Sequence, residues 1–232
     1  MSMDKLAIKL NTAPKTTGLR PSNVNTKAGP RTRIVYSKPI KINHGQVFSK
    51  YKIVERIARN TVVIISSFYR CKHPDAKDLF DDYISSVIDA QKESVANQKA
   101  ELVKALKQAE QKGFKFDLQG NPATIDIVIS NPHVHQVADL LVNIDENIDM
   151  LTKLSVIDLI NDDVYQQHEK FALYCIDYID KSLTVLLQRL NKEFSFKPNK
   201  SVSKNNTSDV DFTKIKAFLK ELHSDASTAV TG

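Results

Sequence analysis

A mainly α fold with one or two short β-strands is predicted by three observations. Long stretches carry neither glycine nor proline. Apolar residues recur at three- and four-residue spacing over most of the chain. With only six glycines and no tryptophan, the sequence has too few turn formers for a many-stranded barrel or sandwich. A length of 232 residues suits one sizeable domain with tails. The expected division is a disordered basic arm over 1–30, a helical domain with short strands over 31–195, and a linker, short amphipathic helix and flexible tail over 196–232.

The arm is marked by Pro14, Gly18, Pro21, Gly29 and Pro30 set among Thr, Ser, Asn and Lys, with little to bury. Arg31 to Ile42 is β-branched and roughly alternating, and Pro39 confines it to an edge or to two short strands. From Val47 the period turns helical. Val47, Tyr51, Val54, Ala58, Val62, Ile65 and Phe68 form the expected core stripe, with Lys50, Lys52, Arg56 and Arg59 on other faces. His73-Pro74 ends that helix.

A long helix follows from about Asp75 to Lys112, with Gly113 as its C′ residue. Phe80, Ile84, Val87, Val95, Leu102, Leu106 and Ala109 form its stripe, interrupted by Gln91 and Gln98. At a rise of 1.5 Å per residue it is roughly 55 Å long, so part of it should pack on a partner helix or a second protomer. Thr124 to Ser130 alternates cleanly, with Ile125, Ile127 and Ile129 on one side. Asn131-Pro132 then reads as an N-cap and first helical residue. Val134, Val137, Leu140, Leu141, Ile144, Ile148 and Leu151 carry that helix onward. After a break near Asn161-Asp162, a helix to about Asn191 offers Phe171, Leu173, Ile176, Ile179, Leu183, Leu186 and Leu190 to the core. Phe212, Ile215, Phe218 and Leu219 mark a last short helix.

No residue pattern points to catalysis, so the chain is read as a non-enzyme with no cofactor and no metal. His133 and His135, at i,i+2 on a helix, point about 200° apart and do not share an ion. Cys71-Lys72-His73 has no oxyanion donor near it. Asp81-Asp82 and Asp162-Asp163 suit helix first turns. No glycine-rich phosphate loop occurs. Cys71 and Cys175 fit no paired framework, the N-terminus has no apolar signal region, and Val62–Ile65 is the longest aliphatic run. The expectation is a soluble, cytoplasmic protein that does not bind membranes.

Charge carries the functional reading. The first sixty residues hold 13 basic and two acidic residues, a net of +11, while the rest of the chain nets −5. A positive head on a mildly acidic body suits a polyanion. The charge continues past the arm into the strand and first helix, interleaved with Tyr36 and Tyr51. A strand followed by two helices is the order of ribbon–helix–helix DNA binders, in which strands from two protomers pair and enter the major groove. Two strands compete for that part. The 124–130 strand has the better local order but presents Asp126 without a nearby base; the 31–42 strand has the charge and is preferred.

Three stretches resemble the AcaB-like transcriptional regulators of conjugative plasmids and integrative conjugative elements. They are Tyr36-Ser37-Lys38-Pro39-Ile40-Lys41-Ile42 with His44-Gly45, then His73-Pro74-Asp75-Ala76 before Leu79 and Tyr83, and Asn131-Pro132 with Ala138-Asp139-Leu140-Leu141 and Asp145. The likeness spans about residues 33–195. It implies a ribbon-helix-helix-like DNA-binding activator of conjugative-transfer genes, assembled as a dimer or tetramer, with RNA polymerase or another regulator as a further partner. The expected DNA contacts are Arg31, Arg33, Lys38, Lys41, Lys50, Lys52 and Arg56, with Lys15, Arg20 and Lys27 as a trailing backbone arm. The rival reading is a helical scaffold of a conjugation or DNA-processing complex.

Overall fold

Alternation places the ribbon. In the computed structural model, which describes residues 36–68, 74–116, 121–194 and 212–228, β1 (Tyr36–Ile42) pairs antiparallel with β2 (Ala123–Ile129). Ile40 lies opposite Ile125, and Lys38 opposite Ile127. Ile40, Ile42, Ile125 and Ile127 are buried, each contributing about 1.5–3 kcal/mol of burial free energy. Ser37, Pro39 and Lys41 face outward with Thr124, Asp126 and Val128. The two strands that compete in sequence therefore form one ribbon. β1 finds its partner within the chain, where the sequence reading placed a second protomer.

Six helices complete the fold: α1 (Gly45–Ser49), α2 (Tyr51–Phe68), α3 (Pro74–Gln111), α4 (Pro132–Val156), α5 (Asp162–Phe194) and α6 (Phe212–Thr228). The helix expected from Val47 is broken at Lys50, whose carbonyl accepts from both Ile53 and Val54. The α2 core stripe is also rotated from the expected one: Val54, Ile57, Thr61 and Ile64 are buried, and Val62 is exposed. The run Thr61 to Ile65 is apolar enough on every side to leave its phase undetermined by pattern. Thr61 can enter the core because its hydroxyl donates to the Ile57 carbonyl at 2.8 Å.

α3 packs along α4 and α5 of its own chain, which supply the helical partners that its length requires. Its two glutamines extend the stripe into the interior. Gln98 donates to the His168 carbonyl at 2.9 Å and accepts from Asn147 at 2.9 Å, while Asn147 also donates to the Val95 carbonyl. These bonds tie α3, α4 and α5 in one register. Beyond them, Leu102 meets Met150, Leu151 and Leu154 in a second, smaller cluster. Gly113 closes α3 with φ 93°, and the Phe114 N–H reaches back to the Ala109 carbonyl.

Asn131 caps α4 by accepting from Val134 N–H at 3.1 Å, with Pro132 at the first position. Asn161 caps α5 in the same way, accepting from Val164 N–H at 2.9 Å. Phe171 departs from the expected α5 core: it is 46% exposed, and Ala172 and Cys175 point inward instead. Burial pushes the Cys175 thiol up to about 11. α6 docks through Ile215, Phe218, Leu219 and Leu222, with the Arg189 guanidinium of α5 4.9 Å from the Phe218 ring. Among the described residues no helix is long and apolar enough to cross a membrane.

Candidate nucleic-acid interface

The corner between β1 and α1 is held from below by carboxylates of α4. Asp145 is buried and accepts the N–H groups of Asn43 at 2.9 Å and His44 at 3.0 Å. One turn on, Asp149 meets the His44 ring at 2.6 Å. A carboxylate receiving two backbone N–H groups fixes the strand's end more firmly than neutral bonds would. On the other flank, the Tyr51 hydroxyl at the start of α2 donates to the Asp126 carbonyl of β2 at 3.5 Å. Burial is the main cause that raises Tyr51 above its ordinary value, ahead of its hydrogen bond with Glu55 and that group's charge.

The cations expected to contact DNA divide into three sets. Arg31, Arg33, Lys15, Arg20 and Lys27 lie outside the described residues, as does the Cys71-Lys72-His73 segment. Lys38, Lys50 and Arg56 are bonded to acids of the same chain. Lys38 stands on the inner side of the ribbon, and its ammonium meets Asp139 of α4. Lys50 donates to both oxygens of Asp177 at 2.8 and 2.7 Å. Arg56 forks onto Asp180, with Nε to Oδ1 at 2.7 Å and Nη2 to Oδ2. The hydrogen bond to Asp180, and next that group's charge, hold Arg56 above its ordinary value.

Lys41 and Lys52 form the third set. Both are exposed and make no ion pair among the described residues. Lys41 projects from the outer ribbon face. Lys52 follows Tyr51 directly and so sits at the rim of that face. Arg59, outside the expected set, joins them: it too is exposed and unpaired among the described residues, and positions 52, 56 and 59 fall on one stripe of α2. That i, i+4, i+7 spacing is readable in sequence, and could have placed Arg59 beside Lys52.

His133 and His135 turn to different carboxylates: His133 meets Asp81 of α3 at 3.2 Å, and His135 meets Asp139 at 2.8 Å. Among the described residues no group of three or more His, Cys, Asp or Glu could hold a metal ion.

Taken together, the fold and the site define a class: a helical domain that presents one face of a two-stranded ribbon to solvent and anchors the other in its core. No protein-family model and no curated protein matches the chain. Among solved structures it is similar to selenomethionine-containing AcaB from uropathogenic E. coli, with a TM-score of 0.59 and 19% sequence identity. The match covers 82% of this chain and 100% of that one. At that identity the likeness is one of fold.

Proposed function

We propose that the chain is a sequence-specific DNA-binding transcription regulator that acts as a dimer or higher oligomer and activates conjugative-transfer genes. The outer face of the ribbon carries this reading. It exposes Lys41, Thr124, Asp126 and Ser37 on a rigid platform, and a two-stranded ribbon has the dimensions of the major groove. Lys52 and Arg59 at its rim would engage phosphates, and the sequence leading into β1 adds Arg31 and Arg33. The AcaB-like fold and the three resembling stretches support the regulatory part of the reading.

Binding to promoter fragments at several salt concentrations tests this function. The expected result is a steep log–log salt dependence together with a preferred site that survives competitor DNA. Equal affinity for every duplex would sink the specific-regulator reading. Arg31→Ala with Arg33→Ala should weaken binding while leaving thermal unfolding unchanged.

One observation favours a scaffold instead. Phe171, Tyr174 and Val185 are exposed on α5 at helical spacing, as a protein-binding face would be. A chain with that role would bind no promoter fragment at any salt concentration.

A further inference from the structure

Resting on the DNA-binding reading above, we infer that Asp126 is a specificity-determining residue. Its carboxylate accepts the N4 amino group of a cytosine in the major groove, and Lys41 on the same face donates to a guanine nearby.

Asp126 is an anomaly on a surface meant for a polyanion. It is exposed, central in β2, and is the one acid among the outward residues of the ribbon. Its side chain makes no hydrogen bond or ion pair among the described residues; only its backbone carbonyl is used, by Tyr51. A structural role in the fold therefore does not account for it. Toward phosphates it is repulsive, over a Debye length of roughly 8–10 Å. Toward base edges it is selective, because cytosine N4 is a donor to which aspartate pairs, while guanine N7 and O6 and thymine O4 are acceptors that it repels.

Pairing with β1 supplies the neighbouring base that the isolated β2 sequence lacks. Pro39 lies opposite Asp126 and Lys41 opposite Thr124, so Lys41 is the diagonal neighbour of Asp126 on one face. Diagonal positions are roughly 7 Å apart. Successive outward residues along a strand are also separated by about 6.7 Å. Either interval matches about two nucleotide steps of 3.4 Å. The face thus reads as an acceptor at Asp126 and a donor at Lys41 about two base pairs away, with Val128 supplying apolar contact of the kind that fits a thymine methyl.

Selection of sites from a randomised duplex library, run with the full-length wild type, Asp126→Asn, Asp126→Ala and Lys41→Ala, tests the assignment. Wild type should prefer cytosine at one position by about tenfold or more, in line with a single good side-chain–base pair. Asp126→Asn should move that preference to adenine, whose N6 and N7 match an amide. Asp126→Ala should lose it and bind non-specific duplex more tightly, because a repulsive charge is gone. Lys41→Ala should relax the guanine position about two base pairs away and leave the cytosine position intact. Thermal unfolding of the exposed variants should match wild type. If wild type selects a site and both Asp126 variants select the same one, the Asp126 assignment is overturned while the DNA-binding reading stands. If wild type selects no sequence, both fall together.

Discussion

Lys38, Lys50 and Arg56 differ from Lys41, Lys52 and Arg59 in nothing that composition reveals, yet the fold treats the two sets oppositely. The first three reach Asp139, Asp177 and Asp180 on α4 and α5, and so bind the ribbon and α2 to the helical body. The second three stand exposed without a partner among the described residues. A positive charge already bonded to a carboxylate releases little counterion from DNA, whereas an unpaired one supplies the full electrostatic gain. The +11 of the first sixty residues thus overstates the charge available to a ligand, since three of its cations are neutralised locally.

The contrast can be sharpened by perturbing each side in turn. The largest expected effect lies beneath the ribbon: Asp145→Ala removes two charge-assisted bonds to Asn43 and His44 and should lower stability by about 3 kcal/mol in urea unfolding. A loss under about 0.5 kcal/mol would mean that the α4 anchor is not what fixes the β1–α1 corner. Next comes the unpaired set. Lys41→Ala, Lys52→Ala and Arg59→Ala together should flatten the slope of log K against log salt for DNA by about 2–3, as each lost phosphate contact removes about 0.9. An unchanged slope would place the DNA surface elsewhere.

Arg56→Ala should give a smaller effect, about 1 kcal/mol of stability, measured by the same unfolding titration. Asp180 is only 11% exposed and would lose its partner, but Arg56 itself is 52% exposed, so solvent screens much of the interaction. Its effect on the DNA salt slope should be well below that of the unpaired residues. Smallest of all, the triple variant of Lys41, Lys52 and Arg59 should change stability by no more than about 0.5 kcal/mol. A larger loss would reveal structural partners and erase the distinction between the two sets.

Much of the fold is legible in the sequence because local rules act alone there. Pro74, Gly113, Asn131-Pro132 and Asn161 bound helices through capping and φ constraints that need no distant contact. The α4 stripe is read correctly from Val134 to Leu151 because polar residues flank it on both sides. Pattern misleads where it is redundant or where polarity is satisfied internally. The aliphatic run in α2 has no polar side to fix its phase, and Phe171 is apolar enough to suggest a core that it does not join. Gln91 and Gln98 interrupt the α3 stripe in sequence but lie buried within it; Gln98 is bonded to Asn147 and His168.

The candidate site was legible only in part. Alternation separates the outward residues of each strand from the inward ones, and charge identifies the basic segment. Sequence treats Asp126 as an acid without a base because the nearest cation on its own element is far along the chain. Antiparallel pairing across 85 positions sets Lys41 beside it.

By itself, then, the sequence determined the helices, the two alternating strands and the concentration of positive charge near one end, since each depends on residues within a few positions of one another. Only the tertiary structure decided that the two strands are one ribbon, and which cations remain unpaired. Both depend on side chains from α4, α5 and β2, more than 70 residues distant, whose approach is governed by core packing and carries no local signature in the chain.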